Sequence, residues 1–112
     1  MARKKEFEEM TEMERVQADW TYLGRAPEQT EDMCLAAVWG ESKALELVRD
    51  QTVDLCMRAI RLSPGALEHI RKGSQTNGLF RQMMDEGIKI EKKFLKVDTK
   101  KLDPEVRLYI EI

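Results

Sequence analysis

The chain has 112 residues, 42% hydrophobic and 36% charged, and its 21 acidic and 19 basic side chains leave a net charge of −2. That is one domain of chain with enough apolar residues to bury a core, and the composition fits a folded helical protein better than a disordered one. The charge balance argues against a dedicated polyanion binder and against an acidic mimic of nucleic acid, and no apolar run approaches the roughly 20 residues that span a bilayer.

The N-terminal stretch MARKKEFEEM lacks the apolar centre of a signal peptide, so a cytoplasmic location is expected, with residues 1–10 frayed. Thr11–Glu14 (TEME) has capping-box spacing, and Met13, Val16, Trp20 and Leu23 recur at intervals of three and four. The spacing predicts an N-terminal helix over 11–24 that stops near Gly24, with the Pro27 region turning the chain.

Residues 30–51 and 52–75 then repeat one pattern at an offset of 22. Thr30, Asp32, Cys34, Ala37, Ala44, Leu45, Glu46 and Arg49 meet identical residues in the second unit, and Met33/Leu55, Val38/Ile60 and Val48/Ile70 are conservative pairs. Each unit reads as two short helices. Thr30 and Thr52 cap the first, with Asp32 and Asp54 in the turn that the helix dipole makes favourable to negative charge. Breaks follow at Gly40–Ser42 and at Ser63–Pro64, where proline suits a helix start, and Gly73 is the expected stop of the second unit. A pair of helices this short cannot bury its apolar stripe alone, so the repetition implies stacking of neighbouring pairs.

Residues 76–102 form a degenerate third unit. Its first helix is TNGLFRQMM, and KKFLKVDTKKLD aligns with GALEHIRKGSQT. Residues 103–112 begin with the helix-start signal Asp-Pro-Glu and read as a C-terminal cap, although VRLYIEI also alternates as a short strand would. The expected fold is all-α: stacked helical-hairpin repeats in a short solenoid-like bundle with an N-terminal capping helix, and either a helix or a short strand at the C-terminus.

The cadence T-x-(D/E)-Φ-C-Φ-x-A-(V/I), a short break, then A-L-x-x-(V/I), resembles the tandem short helical repeats of unknown function found in bacterial, phage, protist and large-virus proteins. The match is confined to residues 30–75. The resemblance implies a helical stack and carries over no activity and no catalytic residue.

Cys34 and Cys56 share one repeat position beside Ala and Leu, which suits small buried side chains better than metal ligands, and the spacing with His69 is not that of a zinc site. His69 stands where the first unit has Leu47 and reads as half-buried. No nucleophile motif and no phosphate-binding glycine loop occurs, so neither enzyme activity nor a cofactor is expected. Glu46/Arg49 and Glu68/Arg71 are spaced three apart, as helical ion pairs or as a charged recognition stripe. Trp39, whose counterpart is Arg61, either packs beneath the N-terminal helix against Trp20 or stands exposed as an interface anchor. Phe80, Met83 and Met84 pose the same choice between core and adhesive surface, with a homo-oligomer as one use of the latter. Lys89, Lys92, Lys93, Lys96, Lys100 and Lys101 form a basic run that reads as a solvated helix face or as a contact to phosphates.

The leading expectation is a non-enzymatic protein-interaction module. By analogy it is an inhibitor or adaptor made by a virus or mobile element against a host protein complex. The alternative is an accessory nucleic-acid-binding protein that uses the C-terminal lysines.

Overall fold

Four threonines start four α-helices in the same way. In the computed structural model, which describes residues 6–111, the hydroxyls of Thr11, Thr30, Thr52 and Thr76 accept from the backbone N–H three residues on, at 3.1, 3.1, 3.1 and 3.2 Å. They open α1 (Glu12–Ala18), α2 (Glu31–Gly40), α3 (Val53–Leu62) and α4 (Asn77–Asp85). Thr11 completes a capping box with Glu14. The last helix, α5 (Pro104–Glu111), has proline at its first position. Replacing Thr52 with alanine removes one such bond and is expected to lower stability by about 1 kcal/mol, and the thermal midpoint by about 4 °C, while Thr52→Ser retains both. A thermal melt of the three proteins checks this.

The first three helices also end alike. Asp19, Glu41 and Ser63 each adopt an extended conformation and donate their N–H to the carbonyl of Arg15, Ala37 or Ala59. Each then begins a 3₁₀ helix: Trp20–Gly24, Ser42–Leu47 and Pro64–His69. The N-terminal segment is therefore not one helix over 11–24. It breaks at Asp19, whose carboxylate accepts from the backbone N–H and the hydroxyl of Thr21 at 3.0 and 2.6 Å and so restarts the chain. The second helix of each pair is 3₁₀ rather than α because its bonds close over three residues, as from Ala44 N–H to Glu41 and from Ala66 N–H to Ser63. Gly73 is not the stop. The 3₁₀ segment Pro64–His69 ends at extended Ile70, and Gly73 lies inside a further short turn, Lys72–Ser74.

The end of α4 differs. Gly87, with φ of 69°, reverses the chain while Ile88 donates back to Met83 at 2.8 Å. The lysine-bearing stretch that follows holds two short 3₁₀ turns, Lys92–Phe94 and Thr99–Lys101, joined by extended residues. It is not a helix face. The C-terminal segment is helical through Glu111, so the strand alternative is set aside: Val106 and Ile110, four apart, are both buried, as one face of a helix requires. No strand occurs among the described residues. The expectation of fraying over 1–10 lies outside the described residues for 1–5, while Phe7–Glu9 is a 3₁₀ turn.

Packing follows chain order. α2 lies against α1 and α3, α4 against α3 and α5, and the 3₁₀ segments lie against one another. The result is elongated, 57 × 26 × 20 Å, with a radius of gyration of 16.3 Å, against about 13 Å for a spherical domain of this length. Leu23, Leu45, Leu67, Val48, Ile60, Ile70, Phe80 and Met83 are among its fully buried side chains. No helix of the described residues is long and apolar enough to cross a membrane.

Candidate interaction surfaces

The repeated dipeptide Gln-Thr, at 29–30, 51–52 and 75–76, places a glutamine before each of three caps. Gln29 Nε2 donates to the carbonyls of Leu23 and Leu47 at 2.9 and 2.8 Å, and its Oε1 accepts from Arg49 N–H at 2.8 Å. Gln51 does the same with Leu45 (2.8 Å), His69 (3.4 Å) and Arg71 N–H (2.9 Å). Gln75 donates to Leu67, Ile70 and Phe94 and accepts from Lys96 N–H at 2.8 Å. Each carboxamide thus ties the end of one 3₁₀ segment to the segment that follows through backbone groups on both.

Arg49 and Arg71 belong to this frame. Arg49 Nη2 donates to the carbonyls of Ala26 at 2.7 Å and Gly24 at 3.3 Å, and Arg71 Nη2 to the carbonyl of Arg49 at 2.8 Å. The expected Glu46–Arg49 and Glu68–Arg71 pairs do not form, because both arginines lie beyond the end of their 3₁₀ helix and the α-helical i,i+3 geometry does not reach them. Glu46 instead crosses to the half-buried His69, Oε2 to Nδ1 at 2.5 Å. Glu68 is exposed and forms no ion pair among the described residues.

Phe80 and Met83 are fully buried on the inner face of α4, and Met84 is half-buried against the same core. The adhesive-surface reading of Phe80 and Met83 is therefore corrected: Thr76 caps α4 in the register that puts Leu79, Phe80 and Met83 on one inward stripe. Trp39 falls the other way. It does not pack beneath the N-terminal helix and is 76% exposed near the end of α2. Its counterpart Arg61 forms a two-pronged ion pair with Glu86 at 2.7 and 2.8 Å. That contact holds the Glu86 carboxyl below its ordinary range and raises the guanidinium. Leu62 and Leu108, at 44% and 64% exposure, are further apolar surface residues. Sequence reasoning missed both.

The cysteines are buried, and desolvation raises both thiols, that of Cys56 to about 11, so neither is a thiolate at neutral pH. No group of three or more His, Cys, Asp or Glu side chains among the described residues is arranged to hold a metal. An open cleft of about 600 Å³ lies between the segments that precede α2 and α3, with Cys34, Val48 and Leu55 in its floor and Glu28, Glu31 and Asp50 on its rim.

All six lysines of the basic run are exposed. Lys93 pairs with Glu91 at 3.4 Å and lies 5.1 Å from the centre of the Phe94 ring, whereas Lys89, Lys92, Lys96, Lys100 and Lys101 form no ion pair among the described residues. Comparison with family models, curated proteins and solved structures finds no match to this chain.

Proposed function

We propose that this chain is a non-enzymatic protein-interaction module, a short stack of α/3₁₀ repeats that grips its partner through Trp39. The observation that carries the reading is the 76% exposure of that indole near the end of a capped, core-packed helix. A large aromatic held out on a rigid element has apolar area to lose and little conformational freedom to give up, which is the character of an interface anchor. The neighbouring helix supports the reading. Leu62 is also exposed, at the end of α3, and α3 packs beside α2. The recurrence of capping threonine, bridging glutamine and 3₁₀ segment, together with the 57 Å length, supports a repeat stack of the kind resembled over residues 30–75. A small inhibitor or adaptor acting on a host protein complex remains the role suggested by analogy.

The test is affinity capture from the native lysate after nuclease treatment, with the wild-type protein and Trp39→Ala side by side. One stoichiometric protein partner is expected with the wild type, and its affinity for Trp39→Ala is expected to be lower by about 30-fold. Truncating an exposed residue should leave the thermal midpoint nearly unchanged. Undiminished binding by Trp39→Ala would remove the residue from the interface.

A further inference from the structure

The near-neutral net charge conceals a separation of charge along the molecule. Of the described residues, 6–54 carry 13 acidic and 4 basic side chains, and 55–111 carry 8 acidic and 12 basic ones; Arg3, Lys4 and Lys5 precede them in the sequence. Since the elements pack in chain order over 57 Å, the two populations occupy opposite parts of the long axis. The arginines near the basic end are already engaged: Arg58 with Glu31, Arg61 with Glu86 and Arg81 with Asp103. The lysines of 89–101 are not, apart from Lys93. One of the two carboxylates among them, Asp98, accepts from Lys100 N–H at 3.0 Å and caps the Thr99–Lys101 turn.

The frame beneath these lysines is ordered. Gln75 holds the Phe94 carbonyl and the Lys96 N–H, and Phe94, Leu95 and Val97 pack against the core. Side chains on such a frame lose less freedom on binding than those of a flexible basic tail.

We infer that the exposed lysine edge, Lys89, Lys92, Lys96, Lys100 and Lys101, is a second binding site, separate from Trp39, whose ligand is the phosphate backbone of nucleic acid. The chemistry of the edge selects that ligand. Its charges are ammonium groups, compact point charges suited to individual phosphates, and it has neither an exposed aromatic for base stacking nor an arginine fork for reading base edges. Phe94, the aromatic within it, is half-buried beside Lys93. Recognition is accordingly independent of sequence. The acidic half is repelled by the same polymer, so the chain contacts nucleic acid with its C-terminal end and leaves the Trp39 end free.

The experiment is fluorescence anisotropy of the full chain with a labelled 20-base-pair duplex of arbitrary sequence, at 50 and 200 mM salt. With about four phosphates neutralised, affinity should fall by about 100-fold between the two conditions. The triple variant Lys92→Glu/Lys96→Glu/Lys100→Glu should abolish binding at 50 mM salt, and Lys43→Glu, in the acidic half, should leave it within about threefold. All substituted residues are exposed, and unchanged circular dichroism spectra verify folding. No binding at 50 mM salt, binding that survives the triple substitution, or capture of polyglutamate in preference to the duplex would each overturn the assignment. The Trp39 capture is performed after nuclease treatment, so either result stands without the other.

Discussion

Replacing Gln75 with leucine is expected to cost about 3 kcal/mol, although it swaps a polar residue for an apolar one at a site only 3% exposed. The carboxamide donates to Phe94, Ile70 and Leu67 at 3.0, 3.2 and 3.3 Å and accepts from Lys96 N–H at 2.8 Å. Leucine fills the space but removes the partner of the Phe94 and Ile70 carbonyls and of the Lys96 N–H, each such loss costing about 1–3 kcal/mol where water cannot enter, whereas the Leu67 carbonyl still accepts from Ile70 N–H. Gln75→Glu should be worse. A carboxylate keeps the shape and the bond from Lys96, but it cannot donate and would face three carbonyl oxygens. Urea unfolding of the three proteins reads the effect as a lower midpoint at constant slope. Amide exchange across 89–101 should rise with it, because that stretch is held through Phe94 and Lys96. A cost below about 1 kcal/mol would mean that the glutamines decorate the junctions rather than close them.

Phe80→Ala should be the more damaging core change, at about 4 kcal/mol, with a fall of about 15 °C in the thermal midpoint. The ring is fully buried on α4, at the position that Cys34 and Cys56 occupy on α2 and α3, and its removal opens a cavity between packed helices. Met84→Ala, half-buried one residue beyond Met83, should cost about 1 kcal/mol. If Phe80→Ala kept its stability and lost partner binding instead, the side chain would belong to a surface after all.

What was legible in the sequence was local. A threonine hydroxyl just ahead of an apolar stripe marks a helix start at Thr11, Thr30 and Thr52, whereas the helix that Thr76 caps is indicated by the degenerate third unit. The buried positions of α2 and α3 followed from the 22-residue match. The break at Asp19 was hidden because Asp19, Glu41 and Ser63 perform one task with three different side chains. Six residues with apolar side chains at intervals of one, three and four satisfy α and 3₁₀ geometry alike, so the pattern does not separate them. The Glu46–Arg49 and Glu68–Arg71 pairs require the α-helix to run on through the arginines, and it does not. The glutamines left a visible signal, the threefold Gln-Thr, but their partners are backbone atoms, 5 to 8 residues away on one side and 18 to 21 on the other, so no side-chain pattern announces them. The charge separation was equally present in the residues. It acquired meaning only once chain order was seen to be spatial order.

Packing between neighbours has a further consequence. The main packing among the described residues runs between neighbours, α1 on α2, α2 on α3, α3 on α4 and α4 on α5, so the two ends should open locally below the global unfolding transition. Deuterium uptake should be slowest in α3, the middle helix of the five and the farthest from either end, and faster toward α1 and α5. A partner clamped on one end would then shelter that end alone, and the extent of protection along the chain would report how many junctions the binding free energy reaches.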